Sequence, residues 1–217
     1  AGNLENLKDV ETQPNYKFVH GNINAAKLVD KLTKDVDKII HFAAETHVDR
    51  SILNPSVFVE TNLIGTQVLL NAALNNRVKH FHHISTDEVF GSLELNDETQ
   101  FSESTPYDPR SPYSASKAGA DHLVRAYGET YGLPFTITNC SNNYGPFIHP
   151  EKFIPMSITQ LIEGKKILVY GTGLQVRDWL YVRDHCRAID LVVHEAKPSS
   201  TYLVGGLTDD ISNLEIA

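Results

Sequence analysis

Tyr113 and Lys117 stand four residues apart in Tyr113-Ser114-Ala115-Ser116-Lys117, a spacing that makes a phenol and an ammonium neighbours on one helix face. A free phenol, with a pKa of about 10, accepts protons poorly at neutral pH. An adjacent cation stabilises the phenolate and makes it a usable base, so the pair suits alcohol oxidation. The plainer alternative is two ordinary residues of an amphipathic helix. A second group, Ser85-Thr86-Asp87-Glu88-Val89-Phe90-Gly91, places polar and acidic residues where a strand-like run ends, which is where open α/β sheets form their ligand crevice. Two adjacent carboxylates there can be driven apart by their surroundings, one protonated as an acid and one ionised as a base. A solvated acidic loop or a capping turn is the plainer reading of that stretch.

The segments that must position these groups alternate in character. Strand-like runs occur at Tyr16–His20, Lys38–Ala43, His80–Ser85 and Phe135–Cys140. Between them lie helical patterns: one with Leu28, Val29 and Leu32, and one after Asn54-Pro55 with Val59, Leu63, Thr66, Leu70 and Ala73. A third opens at Ser111-Pro112, an N-cap followed by Pro in the first turn, and is stopped by Gly132 and Pro134. Such alternation predicts a parallel α/β sheet. Beyond residue 145 the pattern loosens. It predicts a helix near 153–163, short apolar runs at Ile167–Tyr170, Trp179–Val182 and Tyr202–Val204, and a helix opening within Ile211–Ala217.

Composition bounds the partners. The 217 residues are 41% hydrophobic and 21% charged, with 19 Lys plus Arg against 27 Asp plus Glu, a net charge of −8. That balance disfavours a nucleic-acid backbone as partner. No apolar run approaches the roughly 18 residues of a membrane span, and the first residues lack the basic and apolar regions of a signal peptide. Cys140 and Cys186 have neither metal-ligand nor redox spacing, so two reduced thiols, no metal and a cytoplasmic location are expected.

Six stretches in order resemble the extended short-chain dehydrogenase/reductase superfamily and, within it, the dTDP-glucose 4,6-dehydratase family. They are His41–Ser51, Thr61–Thr66, His83–Gly91, Ser111–Lys117, Asn139–Pro146 and Arg177–Val182. The resemblance implies a Rossmann-like doubly wound sheet over 1–145, binding NAD, with part of a smaller interleaved nucleotide-sugar domain over 146–217. It implies that Tyr113 takes the sugar C4 hydroxyl proton as hydride leaves for NAD, while Lys117 lowers the phenol pKa and holds the nicotinamide ribose. Thr86 would hydrogen-bond the reacting oxygen, Glu88 would remove the C5 proton, and Asp87 would protonate the departing C6 hydroxyl. His47, Asn142, Lys152 and Arg177 would contact the substrate dTDP-glucose, the last three around its diphosphate. Asn22, Ile23, Phe42, Ala43, Ala44 and Thr61 would line the cofactor. The family also implies a homodimer through the helices near 56–75 and 112–131, whose bulky residues include Val68, Leu69, His122 and Tyr127.

The family's first strand, Gly-rich turn and following helix, which cradle the pyrophosphate, have no counterpart in these residues. Residues 1 to 7 match the segment after the family's second strand, so a longer natural protein is expected, and these residues alone are expected to bind NAD poorly. Asn22 stands where the family usually has Asp near the adenine. UDP-glucose as the substrate, other epimerase or dehydratase chemistry, and a non-catalytic binding module of the same fold stay open.

Overall fold

A computed structural model describes residues 2–93, 99–206 and 211–217. Four parallel strands, β1 (Lys38–His41), β2 (His80–Thr86), β3 (Phe135–Cys140) and β7 (Ser200–Val204), form the principal sheet in the order β1-β2-β3-β7. The registers Ile39↔Phe81 and Phe81↔Phe135 place apolar side chains of adjacent strands side by side, and Ile137 pairs with Thr201 on β7. This is the expected Rossmann-like parallel sheet with flanking helices. Because β7 lies beyond residue 145, the later part of the chain returns to the principal sheet.

Helices cover both faces. The side chains of Phe81 and Ile137 are fully buried under Leu70 and Val124, which belong to α4 (Gly65–Asn75) and α5 (Pro112–Tyr131); α1 (Ala26–Leu32) adds Val29 to the same cluster. Side chains alternate along a strand, so His80 and His82 face the other way, where α7 (Val182–Glu195) lies with His185, Ile189, Val192 and Val193 buried. Their spacing of four, three and one is a plain amphipathic stripe, and the sequence reading passed over it.

α3 (Pro55–Phe58), a π-helical turn (Val59–Ile64) and α4 run on as one helix, Pro55–Asn75. By length and composition alone this helix could cross a membrane. Its apolar side is spent on the core, where Leu69, Leu70, Ala72 and Ala73 are buried. The π turn carries Asn62, 1% exposed, inward. Asn62 Oδ1 accepts from Glu45 N at 2.8 Å, and its Nδ2 donates to Glu45 O at 3.0 Å and Ser116 Oγ at 2.9 Å. It thereby ties the loop after β1 to α5.

α5 begins where its sequence says it must. Ser111 Oγ accepts from Ser114 N at 3.0 Å, Ser114 Oγ accepts from Ser111 N at 3.0 Å, and Pro112 fills the first turn. Gly132, at φ 70, ends the helix in the left-handed region. Gly128 lets α5 approach β3, because a Cβ there would collide with the Phe135 ring.

The smaller elements are two two-stranded ribbons: β4 (Asn142–Tyr144) with β6 (Trp179–Tyr181), and β5 (Val176–Arg177) with β8 (Ile211–Ser212), beside α6 (Phe153–Ile162). α2 (Val48–Leu53) follows the loop after β1, and α8 (Asn213–Ile216) follows β8.

Two sequence expectations need correction. Tyr16–His20 is extended but joins no sheet, with Phe18 50% exposed; among the described residues it has no neighbouring strand, and a strand exists only through its ladder. Leu69 and Tyr127, expected to be spare bulk for a second subunit, are buried, and Tyr127 OH donates to Asn71 Oδ1 at 2.7 Å.

Two outcomes follow for stability. Gly128→Val overpacks the α5–β3 contact and should lower unfolding free energy by about 1–3 kcal/mol in urea; an unchanged midpoint would show that the helix can move away freely. The second outcome concerns acid. Burial holds His82 down to about 3 and His83 to about 4, so between the unfolded value near 6.5 and those folded values only the unfolded chain takes up these protons. Stability from each is whole above about pH 6.5 and is lost as pH falls, by roughly 2 kcal/mol at pH 4.5. Asp87, raised to about 6, works in the opposite sense. The comparison of wild type with His82→Gln therefore isolates one group. The variant should lose less stability between pH 7 and 4.5, and parallel losses would contradict the assignment.

Candidate active site

β2 ends at Thr86, and the 3-10 turn Asp87–Phe90 follows at once. Thr86 Oγ1 accepts from Glu88 N at 3.3 Å and donates to Asp87 Oδ1 at 3.2 Å, so one hydroxyl both caps the turn and orients the first carboxylate. Tyr113 and Lys117 come from the first turns of α5, and both are buried. The structure thus gathers Thr86, Asp87, Glu88, Tyr113 and Lys117 at one end of the sheet.

The two carboxylates lie in different surroundings. Burial first, then repulsion from Glu88, raises Asp87 to about 6, against a smaller downward pull from the Thr86 hydroxyl. Burial also raises Glu88, but the cations Arg177 and Lys152 draw it back toward the ionised form. Asp87 is the member biased toward holding a proton, and Glu88 the member biased toward taking one.

The phenol of Tyr113 is held well above its ordinary value by burial and then by Glu88; a hydrogen bond with Thr86 pulls only weakly the other way. Lys117 Nζ donates to Ile84 O at 2.7 Å and lies 3.4 Å from His83 Nε2. As it stands the phenol keeps its proton, and it acts as a base only when positive charge is brought beside it.

A cleft of about 250 Å3 opens beside Glu88, lined by His47, Asn142, Lys152 and Arg177 among others. Besides the turn that carries Glu88, four stretches of chain supply them. His47 precedes α2 and leaves its buried Nδ1 without a partner; Asn142 starts β4, Lys152 caps α6, and Arg177 ends β5. Lys152 Nζ donates to Thr46 O at 3.1 Å, and Arg50 pairs with Glu151 at 2.5 Å, joining the two rims. Two cations, an amide and an unpartnered imidazole nitrogen form a donor set suited to a polyanion.

The residues expected at the cofactor lie around the end of β1. Phe42 and Ala43 are exposed, Ala44 and Thr61 half-buried. Asn22 is exposed and accepts from Asn24 N at 2.9 Å, whereas Ile23 packs against the core. Exposed Phe42 and Ala43 leave the end of β1 open to a flat ring such as the nicotinamide end of a dinucleotide. No Gly-rich turn opening a helix occurs among the described residues.

Sequence reasoning missed the buried polar groups His41, His83 and Asp121 near Lys117, and the half-buried Tyr107 and Arg125 that extend their hydrogen bonds outward. One signal was present, since Asp121 continues the row of Tyr113 and Lys117 at the same interval of four.

Comparison with known proteins gives the relatives of this chain and of its fold. The dTDP-glucose 4,6-dehydratase of Shigella flexneri is 52% identical over 224 residues, 95% of this chain and 62% of that protein. That of Salmonella typhimurium is 48% identical, covering 100% of this chain and 64% of the relative. Among solved structures, DesIV, a dTDP-glucose 4,6-dehydratase from Streptomyces venezuelae crystallised with NAD, superposes with a TM-score of 0.96 at 48% identity, over 100% of this chain and 66% of that one. The UDP-glucuronic acid 4-epimerase of Bacillus cereus gives a TM-score of 0.89 at 28% identity, over 98% of this chain and 67% of that one. The chain spans less than two thirds of the length of these curated relatives. The model of the GDP-mannose 4,6 dehydratase family matches residues 1–215, and the chain belongs to that family.

Proposed function

We propose that the protein dehydrates dTDP-glucose to dTDP-4-keto-6-deoxy-glucose, using NAD that each turnover regenerates. The observation that carries this reading is the pairing of a divided Asp87/Glu88 couple with Tyr113 and Thr86 behind a cationic cleft. An epimerase needs no acid to expel water, so Asp87 favours dehydration. The relatives that are dTDP-glucose 4,6-dehydratases support the same choice, as does NAD in DesIV.

Bound NAD would supply a hydride acceptor for C4, a hydride donor for C6 and, in its oxidised form, positive charge near the phenol. Lys117 and Tyr113 would hold its nicotinamide end, with Phe42, Ala43, Ala44 and Thr61 along the groove and Asn22 and Ile23 toward the adenine. Tyr113 takes the proton of the C4 hydroxyl, whose oxygen Thr86 also binds. The resulting ketone acidifies C5, and Glu88 removes that proton. Asp87 gives its proton to the C6 hydroxyl, which leaves as water. His47, Asn142, Lys152 and Arg177 hold the sugar nucleotide, the last three at its diphosphate.

In this reading the enzyme works in the cytoplasm as a homodimer. Free thiols at Cys140 and Cys186 suit a reducing compartment, and exposed Val57, Val59, Ile64 and Tyr131 on Pro55–Asn75 and α5 suit a helix-to-helix contact.

The full protein, given dTDP-glucose, should form the keto sugar, read by its absorbance in alkali, without net NADH; stoichiometric NADH would mean a plain dehydrogenase. UDP-glucose run in parallel tests the nucleotide, and a higher kcat/KM for it would move the assignment. Tyr113→Phe should abolish the initial oxidation. Glu88→Gln and Asp87→Asn should let NADH appear transiently while slowing elimination by roughly 10²- to 10⁴-fold. Equal suppression of the NADH transient in all three variants would refute the division of roles.

A further inference from the structure

Asp121 lies one helical turn beyond Lys117 and is fully buried. Its Oδ2 accepts from Ser85 Oγ and Tyr107 OH at 2.8 Å each and from Asn139 Nδ2 at 3.2 Å. Its Oδ1 is 3.2 Å from His83 Nε2, and that same nitrogen is 3.4 Å from Lys117 Nζ. One imidazole nitrogen therefore stands between a buried carboxylate and a buried ammonium.

A buried ammonium sheds its proton unless an opposite charge lies near. The groups facing Lys117 can be taken in turn. The Ile84 carbonyl offers a dipole and no charge. His83 from β2 and His41 from β1 are pushed down by burial and stay neutral at pH 7. Cys140 from β3 is pushed up to about 12, so its thiol is neutral as well, and Tyr113 on the same helix keeps its proton. Burial pulls Lys117 down, and Asp121 is the foremost group pulling it back up. The charge on Asp121 is itself secured: beyond its three donors, Arg125 Nη2 donates to Tyr107 OH at 2.8 Å, extending the chain of hydrogen bonds toward a second cation.

We propose that Asp121 is a positioning residue for Lys117, a buried counter-charge that keeps the ammonium protonated while its hydrogen bond to Ile84 O holds it against the end of β2. The inference rests on the reading that Lys117 serves catalysis, but the coupling of the two charges can be measured without any turnover. A carboxylate kept only to satisfy Ser85, Tyr107 and Asn139 would behave differently, because an amide of the same size can still accept from Ser85 and Tyr107.

The test uses Asp121→Asn in the full protein. With its counter-charge gone, Lys117 should lose its proton nearer neutrality. The alkaline limb of the kcat profile should then move down by at least one pH unit, giving a loss of roughly tenfold at pH 8 that is regained at lower pH, with KM nearly unchanged. A uniform loss at every pH, or an unmoved limb, would overturn the proposal. The second measurement compares the urea midpoints of Lys117→Met, Asp121→Asn and the double variant. Removing both charges leaves neither orphaned, so the double variant should be more stable than Asp121→Asn alone; additive losses would overturn the proposal. If Asp121→Asn does not fold, recovery of folding in the double variant supports the coupling, and failure of both overturns it. Inactivity of the wild type toward dTDP-glucose would instead sink the catalytic reading, leaving the midpoint comparison to decide the coupling.

Discussion

The close approach of α5 to the sheet is the constraint on which the site depends. Gly128 removes the side chain that would hold the helix off Phe135, and Ala118, Ala120 and Val124 let the rest of the helix lie flat. Residues 113, 117 and 121 then fall in one row over the end of β2, in space too narrow for bulk water. Polar groups in that row depend on partners inside the protein, and Lys117 Nζ and Asp121 Oδ2 find theirs there. The hydrogen bonds to Ile84, Ser85, Tyr107 and Asn139 follow from that requirement. So does the neutrality of His83, which could not carry charge there without strong opposition.

The same exclusion of water explains how two adjacent carboxylates come to differ. Asp87 turns toward Thr86 and the buried interior, while Glu88 faces cations brought by β5 and by the start of α6. The acid and base characters are therefore not properties of the dipeptide. They arise because the later part of the chain delivers Arg177 and Lys152 to one carboxylate and not to the other. A strand end common to a whole fold acquires its reaction type from loops that are free to vary.

Local signals in the sequence were strong wherever they were chemical. Ser111-Pro112 announced the start of α5, and with it the placement of Tyr113 and Lys117. The period of apolar residues located α1, α4 and the strands β2 and β3. Tyr16–His20 went wrong because a strand is completed by its neighbour, and no pattern within five residues can report whether one is present. The stripe of α7 was overlooked among polar residues, although His185, Ile189, Val192 and Val193 keep helical spacing. Asp121 was hidden for another reason: a charged residue mid-helix reads as solvated surface until the fold shows what lies above it.

The π turn at Val59–Ile64 has a consequence for how such proteins can be rearranged. It shifts the phase of the helix by about one residue, and that shift is what turns Asn62 inward to join Glu45 and Ser116. Winding the same residues as regular α-helix would rotate α3, with the His47 loop tied behind it, by roughly 100° relative to α4, whereas removing one residue would keep the two flanks in phase but take away the turn that points Asn62 inward. Length in this stretch is therefore not neutral. Recombinants between related sequences should tolerate crossovers in the loops on either side, but a junction that shortens the stretch between 59 and 64 would remove the buried tie from Asn62 to Glu45 and Ser116.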